Sequence, residues 1–476
     1  MRLFAIIALA GTFVTTPAAA QDTLRWGPCE GPERPQDLRC STVQVPVDWA
    51  RPDGRKITIK VAKLPATGRS EGTVFNVPGG PGVSGIDDLT GDRDDFTKLR
   101  ERFDVVSLEP RNAATYGLLP RECFTTGPWI TSPRTRAEYR RLGATIREGA
   151  LKCRNADPAF FDNFNSASVA RDIDAIRAAL GERRLSMLAT SYGGVTAVTY
   201  ARLFPQRLRA AYFDGAINQL RDPVADARAR FEVSEEQFGR FVEWCASARD
   251  VCGPGDVGAR WRKLVAAADR TPLPVEGEAA TYTGFDLQTA AMPNLRTPGP
   301  APEHPGWRRL AQAIRQAEAG DAGGFAKYIK AGTGSAKLMS TVAMNMTHCA
   351  DGLRFRDYRQ YQAVRALGEK LSPNLASAGV WHRLGCVGWP VPVKNPGDPL
   401  PAGLPPFLGA GTWEDYANTA DIVRRVPGSA TVRYDGHGHG LYLSGDACTI
   451  AHANAYLMDL RLPAPGTTCR PATPTG

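Results

Sequence analysis

The stretch Leu185-Ser-Met-Leu-Ala-Thr-Ser-Tyr-Gly-Gly194 is an apolar run that stops at Ser191 and is followed by small residues. Residues 195–201 then have the composition of a buried helix. This order predicts a strand, a sharp turn and a helix, with the serine on the turn. A serine in such a turn has a strained backbone, so the positions two before and two after it need small side chains. Ala189 and Gly193 meet this requirement, although the usual G-x-S-x-G pattern has glycine at the first of them.

Strand-like and helix-like patterns alternate on both sides of this turn. Runs typical of buried strands lie at 73–77, 103–108, 210–213, 407–411 and 431–434. Apolar residues at helical spacing predict a helix that begins near Ser166 or Ser168 and ends at Gly181. Strands that alternate with helices favour βαβ units and a mostly parallel sheet. A hairpin of two edge strands is expected at 42–49 and 57–64.

The interval 221–385 has a different character, because charged, helix-like segments replace the strand-like runs, which resume only after Pro406. The simplest organisation is a large, mainly helical cap inserted between two strands of the sheet. The predicted division of the chain is a leader at 1–20, a first part of the core at 21–220, the cap at 221–385 and a second part of the core at 386–476.

The first twenty residues have the order of a signal peptide. Met1-Arg2 is followed by an apolar run at 3–14 and by Pro17-Ala-Ala-Ala20, a site of the A-x-A type for cleavage before Gln21. The apolar run is too short for a permanent membrane span, so no stable membrane anchor is expected. The mature chain is therefore expected to be exported, to the periplasm or the extracellular space.

The cysteine count agrees with export, because exported chains with an even number of cysteines usually pair them. The sequence has ten, and we hypothesise that neighbours pair: Cys29 with Cys40, Cys123 with Cys153, Cys245 with Cys252, Cys349 with Cys386, and Cys448 with Cys469. The sequence lacks any C-x-x-C pattern and its six histidines are scattered, so a zinc site is not expected.

Composition narrows the functional class further. Hydrophobic residues make up 43% and charged residues 22% of the 476 positions, values typical of a globular protein. The net charge of +9 is spread along the chain rather than gathered into basic runs. No nucleic-acid partner is therefore predicted. The oligomeric state stays open.

Three distant residue types have the order needed for nucleophilic catalysis. A serine hydroxyl needs an adjacent base to become a nucleophile, and the base needs a carboxylate to orient it. Ser191 is followed by Glu414 and Asp415 after one predicted strand and by His439 after the next. The run Pro78-Gly-Gly-Pro-Gly82, directly after the strand at 73–77, exposes backbone N–H groups that can bind an oxyanion.

Several segments together resemble a known family. They are Pro78–Gly82, Ala167–Gly194, Tyr200-Ala-Arg-Leu-Phe-Pro205, Gly436–Tyr442, Cys386-Val-Gly-Trp-Pro390 and the tail from Cys448 to Cys469. In these segments the chain resembles the α/β-hydrolase serine peptidases related to proline iminopeptidase, in particular the branch of secreted tripeptidyl aminopeptidases. The resemblance implies an α/β-hydrolase fold with a helical cap over the site, and an exopeptidase that acts on the free N-terminus of short peptides without a metal or cofactor.

The resemblance also implies roles for individual residues. Ser191 matches the nucleophile and His439 the base, whereas His437 is expected to be a non-catalytic neighbour. For the acid, Gly411-Thr-Trp-Glu-Asp415 matches the family pattern and favours Asp415 over Glu414.

Three further residues are assigned to binding. The N–H groups of Gly80 and Tyr192 are the expected oxyanion donors. Exopeptidases also need an acid for the substrate ammonium, and Asp351 is the candidate.

Two alternatives remain open. The turn and the glycine-rich loop do not distinguish amides from esters, so a carboxylester or lactone hydrolase with the same three residues is the nearest one. The other is a binding protein that keeps the fold without catalysis. The family's Asp-Pro-Arg-Gly reads Glu109-Pro-Arg-Asn112 here, a departure that fits either an altered substrate or loss of catalysis.

Overall fold

The computed structural model describes residues 24–31, 34–113, 119–125, 130–277, 281–296, 305–326, 342–377 and 379–471. The predicted signal peptide at 1–20 lies outside the described residues, as does most of the proline-rich segment before Gly306.

A single large sheet organises the chain. The strands are β1 Gly27–Pro28, β2 Arg39–Pro46, β3 Lys56–Leu64, β4 Thr73–Val77, β5 Asp104–Leu108, β6 Leu185–Thr190, β7 Leu208–Asp214, β8 Leu273–Pro274, β9 Thr281–Tyr282, β10 Leu408–Gly411, β11 Ala430–Tyr434 and β12 Thr468–Cys469. Ten of them pair in the order β1-β2-β3-β5-β4-β6-β7-β10-β11-β12. All pairs from β5 to β12 in that order are parallel, and the pairs among β1, β2, β3 and β5 are antiparallel. The mostly parallel sheet is therefore confirmed.

The helices cover both faces of this sheet and fill the interval between β7 and β10. They are α1 Gly85–Gly91, α2 Glu122–Thr125, α3 Arg136–Ala156, α4 Pro158–Asp162, α5 Ser166–Ala179, α6 Gly193–Leu203, α7 Pro223–Ser247, α8 Arg249–Cys252, α9 Val257–Arg270, α10 Gly284–Arg296, α11 Pro305–Glu318, α12 Val342–Ala350, α13 Tyr358–Leu371, α14 Trp381–Leu384, α15 Tyr416–Val423 and α16 Ala447–Asp459. The elements α7 to α14 form the mainly helical cap, which also holds the short antiparallel pair β8–β9 that the sequence did not indicate. The exact division at 220 and 385 stays a prediction.

The helix before the serine turn shows how local sequence fixes its ends. Its N-cap is Asn165, whose side chain accepts a hydrogen bond from the Ser168 N–H, so the expected caps Ser166 and Ser168 are wrong by one to three positions. An amide oxygen at this place satisfies a backbone donor that the helix cannot satisfy itself. At the other end Gly181 has a φ of 76°, where glycine carries no steric cost.

The hairpin at 42–49 and 57–64 also needs a correction. β2 and β3 do pair antiparallel, with Val43 opposite Ile59. They are not both edge strands, because β3 pairs on its other side with β5 and β2 is covered by β1. The apolar residues Ile57, Ile59 and Val61 of β3 are accordingly buried.

All five hypothesised disulfides are confirmed, and no cysteine of the chain is free. Two of them fasten the cap: Cys245–Cys252 links α7 to α8, and Cys349–Cys386 links the end of α12 to the residues after α14. Such links reduce the entropy of the unfolded chain and are typical of proteins that mature in an oxidising compartment. Within the described ranges, none of the helices is long and apolar enough to cross a membrane.

Candidate active site

Ser191 lies on a turn with the predicted strain. The strand β6 ends at Thr190, Ser191 has a φ of 57°, and α6 begins at Gly193. A left-handed conformation at a residue other than glycine costs about 1–3 kcal/mol and is found mainly where function needs it. The turn has no space for a larger residue at Gly193, because a Cβ there would lie 2.2 Å from the carbonyl oxygen of Val77. The small residue that the sequence pattern required is therefore confirmed.

The glycine-rich loop after β4 approaches this turn closely. A Cβ on Gly79 would lie 2.9 Å from the Cβ of Ser191, and Gly80 and Gly82 have φ values of 102° and 87°. Only glycine adopts these positions without strain. No hydrogen bond among the described residues uses the N–H of Gly80 or of Tyr192. Both residues line the same cavity as Ser191, so their amides are available to an oxyanion.

The histidine loop brings each of the two neighbouring acids against a different histidine. The Nδ1 atom of His439 lies 2.8 Å from Oδ2 of Asp415, whereas Glu414 lies 3.5 Å from Nδ1 of His437. The other oxygen of Asp415 accepts hydrogen bonds from the N–H and the hydroxyl of Thr412, at 2.8 and 3.2 Å. Asp415 is thus fixed between the backbone and His439, in the arrangement that orients an imidazole.

The electrostatics of His439 favour its protonated form. Burial opposes the positive charge, but the hydrogen bond and the negative charge of Asp415, together with the charge of Asp214, raise the pKa of His439 above its usual value. Half of the surface of its side chain is exposed, so the ring is accessible to a substrate. A base with a raised pKa accepts a proton more readily from a hydroxyl.

Asp214 supports this loop and was not singled out in the sequence. Its Oδ2 accepts the N–H of Tyr442 at 2.7 Å, which fixes the chain just after His439. Burial raises the pKa of Asp214 to about 6, and the negative charge of Asp415 adds to that effect. Asp214 is the last residue of β7 and Asp415 lies shortly after the end of β10, so an acid at the end of a strand is the signal that could have identified Asp214.

A cavity of about 480 Å³ brings the predicted residues together. Its lining includes Gly80, Ser191, Tyr192, Asp415 and His439. The cap contributes charged residues that no sequence motif indicated: Asp226, Arg230, Arg296 and Arg383. Glu414 and His348 also line the cavity. The cavity is therefore lined by glycines and backbone groups near the serine and by charged side chains on the cap side.

Asp351 does not lie in this cavity, which corrects the expectation that it binds a substrate ammonium. It is completely buried, and Ser166, Tyr192 and Asn395 donate to its two oxygens. Burial raises the pKa of Asp351 to about 6, although these hydrogen bonds oppose the rise. Its carboxyl group holds the side chain of Tyr192 at 2.8 Å, so its role is to position the residue after Ser191.

The substitution Asp351→Ala tests that structural role. We expect the free energy of unfolding to fall by about 3 kcal/mol, since the Ser166 and Tyr192 donors are left buried without an acceptor. Urea unfolding measures the change. Asp398→Ala, which removes an exposed acid of the same region, is the control and is expected to change stability by less than about 0.5 kcal/mol. If Asp351→Ala instead abolished the preference for free-amine over N-acetylated substrates at unchanged stability, the ammonium role would be restored.

Comparisons with known proteins agree with this geometry. A sequence model of the α/β-hydrolase fold matches residues 128–255, and a model of TAP-like proteins matches residues 372–469. The tripeptidyl aminopeptidase of Streptomyces lividans is 27% identical over 98% of this chain and 90% of its own length. The serine protease Hip1 of Mycobacterium tuberculosis is 27% identical over 94% of this chain and 91% of its own length. Carboxylesterase B of Mycobacterium tuberculosis is 27% identical over 91% of this chain and 86% of its own length. The chain has an α/β-hydrolase fold, is an enzyme of the serine hydrolase type and is similar along almost its whole length to the tripeptidyl aminopeptidases.

Proposed function

We propose that the protein is an exported serine exopeptidase that hydrolyses amide bonds near the free N-terminus of short peptides. The observation that carries the proposal is the 2.8 Å contact between Asp415 and His439 at a cavity that Ser191 also lines. The similarity to tripeptidyl aminopeptidases supports the choice of substrate. Export is supported by the predicted leader and by five disulfides.

The proposed reaction is acyl transfer in two stages. Oγ of Ser191 attacks the scissile carbonyl carbon while Nε2 of His439 takes the hydroxyl proton, and Asp415 stabilises the imidazolium that forms. The carbonyl oxygen becomes an oxyanion, which the N–H groups of Gly80 and Tyr192 bind. The C–N bond then breaks, and His439 returns the proton to the leaving amine. Water adds to the acyl-enzyme by the same steps and releases the peptide acid with Ser191 restored.

The oxyanion donors supply a large part of the rate. Loss of one such donor typically costs about 3 kcal/mol of barrier. The Tyr192 amide is held by its neighbours on both sides, since Ser191 is fixed to the backbone of Asp214 and the Tyr192 hydroxyl to Asp351. A donor that is fixed before the reaction needs no reorganisation when charge develops on the substrate oxygen.

With Asp351 excluded, Glu414 is the acid that we assign to the substrate ammonium. Asp226, the other acid of the cavity outside the catalytic group, is already paired with two arginines. Among the described residues, the Glu414 carboxylate makes one long contact, to His437; burial raises its pKa, and the charges of His437 and Arg296 oppose that rise. An ammonium beside it stabilises the charged carboxylate and reverses that effect.

The function is tested by comparing three substrates of one sequence. We expect the mature enzyme to hydrolyse a tripeptidyl chromogenic amide with a free amine at least about tenfold better, in kcat/KM, than its N-acetylated form, since a lost charged hydrogen bond costs about 1.5–3 kcal/mol. The corresponding ester tests the rival. The similarity to carboxylesterase B supports an esterase or lactonase as the second candidate. Hydrolysis of the blocked ester, with none of the free-amine amide, would establish that candidate in place of the exopeptidase.

A further inference from the structure

The cap side of the cavity carries three guanidinium groups, which we call the arginine wall: Arg230, Arg296 and Arg383. They come from α7, the end of α10 and α14, elements that are far apart in the sequence. All three line the cavity that Ser191 lines. A ligand within this cavity is therefore exposed to their charge and to the serine at the same time.

One carboxylate cannot balance the arginine wall. Oδ2 of Asp226 accepts from Nε of Arg230 at 3.0 Å and from Nη2 of Arg383 at 2.8 Å. Burial alone would raise the pKa of Asp226. The charges and hydrogen bonds of these arginines instead lower this pKa to about 2, so Asp226 stays ionised. Arg296 makes no hydrogen bond or ion pair with any described residue. The wall therefore holds three positive charges, of which two are paired with Asp226, while Arg296 is influenced only through space by the charges of Glu414 and Asp415.

Many donors of the wall also lack partners. The hydrogen bonds to Asp226 use one nitrogen of Arg230 and one of Arg383, and within the described chain neither side chain makes another. Arg383 is 4% exposed. A guanidinium offers paired N–H groups that match the two oxygens of a carboxylate. The unused donors thus point to an anionic, planar ligand group.

The neighbouring His348 also lines the cavity, and the charges of the arginine wall act on it. Burial, followed by the positive charges of Arg230 and Arg383, lowers the pKa of His348 to about 3. Burial is the larger cause, and the positive charges of the two arginines act on His348 in the same direction. The remaining acids of the cavity, Glu414 and Asp415, act on Arg296, but Asp415 is engaged with His439 and Glu414 is the acid that we assign to the substrate ammonium.

We propose that the arginine wall binds a carboxylate of the substrate, supplied by an aspartate or glutamate side chain or by the free C-terminus of a short peptide. The inference rests on the proposed function, because an ammonium on Glu414 leaves the wall with positive charge that a substrate carboxylate matches. The enzyme accordingly prefers peptides that place a carboxylate at the arginine wall. Arg296 is the residue that contributes most clearly to this selection, because it forms no ion pair with a described residue, and of the two acids whose charge acts on it Asp415 is engaged with His439 and Glu414 is assigned to the substrate ammonium.

The test uses isosteric pairs of tripeptidyl chromogenic amides, with glutamate or glutamine at each position in turn. We expect glutamate to be preferred over glutamine at one position by about tenfold or more in kcat/KM, which corresponds to about 1.4 kcal/mol. A second pair compares short peptides with a free or an amidated C-terminus, cleaved at the same bond. A preference confined to the first pair identifies an acidic side chain as the source, and one confined to the second identifies the C-terminus. Equal rates within both pairs would overturn the proposal.

Variants connect the preference to the wall. Arg296→Gln is expected to bring the ratio of glutamate to glutamine kcat/KM close to one, whereas Arg296→Lys keeps part of it because the charge remains and the paired N–H groups are lost. Arg249→Gln, an exposed arginine of the cap that does not line the cavity, is the matched control and should keep the full ratio. An unchanged ratio in Arg296→Gln would contradict the assignment.

A binding measurement separates this inference from the proposed function. Labelling of Ser191 by a fluorophosphonate is slowed by any peptide that occupies the cavity, whether or not the enzyme hydrolyses amides. We expect the tripeptidyl amide that contains glutamate to protect Ser191 from labelling at about tenfold lower concentration than the tripeptidyl amide that contains glutamine. Equal protection overturns the carboxylate site even if amides are cleaved. Selective protection without amide hydrolysis would support the carboxylate site and contradict the exopeptidase function.

Discussion

Ser191→Ala is expected to lower kcat for a free-amine tripeptidyl amide by about a millionfold, the loss found when a serine nucleophile of this kind is removed. The hydroxyl of Ser191 is placed on the strained turn between β6 and α6, and alanine keeps the backbone of that turn while removing the attacking oxygen. The fold should remain intact, because Ser191 makes its turn contacts through backbone atoms, with Asp214 and Ile217. Thermal unfolding and steady-state kinetics of the purified protein measure both effects.

A surface serine of the cap provides the control for this experiment. Ser247→Ala removes an exposed hydroxyl at the end of α7 and is expected to keep both turnover and fluorophosphonate labelling. Wild-type turnover in Ser191→Ala would contradict the assignment of the nucleophile. Failure of the native protein to react with the probe, with the fold intact, would instead favour a binding protein that keeps this architecture without catalysis.

The serine turn could be predicted because its constraints are local. The positive φ at Ser191 belongs to a turn of a few consecutive residues that are visible in the sequence, whereas the contact that a Cβ on Gly193 would make is with Val77 at the end of β4. The order of Ser191, Asp415 and His439 along the chain added the distant members. Each of them lies beyond the carboxyl end of a strand of the parallel sheet, so all three are expected at one edge of that sheet.

The choice between Glu414 and Asp415 depended on information that spacing does not contain. The two acids are adjacent, and the turn after β10 directs one toward His437 and the other toward His439. The N–H and the hydroxyl of Thr412 donate hydrogen bonds to Oδ1 of Asp415, which fixes the orientation of that carboxylate. The family resemblance favoured Asp415, and the structure places that acid, rather than Glu414, against His439.

Asp351 and the arginine wall show where sequence reasoning fails. A helical segment with an acid gives no sign of whether that acid faces a cavity or the core, and the partners of Asp351 come from three separate elements. The wall is the reverse case, since Arg230, Arg296 and Arg383 share no motif and meet only when the cap folds. The hairpin error has the same origin, because β5 joins β3 from a distant part of the chain.

Asp415→Asn is expected to lower kcat by about 10⁴-fold while leaving the fold intact, the effect of the same change in other serine hydrolases. The introduced side-chain amide can keep the oxygen that accepts from Thr412 and then presents its NH₂ group where Oδ2 of Asp415 faced His439. That donor favours the tautomer with Nδ1 unprotonated and Nε2 protonated, so the ring cannot take the proton of Ser191. Asp415→Ala, which lacks the donor, separates the tautomer effect from simple loss of charge.

The pH profile and the neighbouring acid complete the test of Asp415. Catalysis needs neutral His439, so kcat/KM falls as the pH drops through the raised pKa of this residue. Removal of the Asp415 charge lowers that pKa, and the acidic limb of the residual activity should therefore move to lower pH. Glu414→Gln is expected to raise KM for free-amine substrates without a loss of kcat of about 10⁴-fold, the size expected for the triad acid. If Glu414→Gln shifted the acidic limb and Asp415→Asn did not, the two acids would have to exchange roles, against the 2.8 Å contact that joins Asp415 to His439.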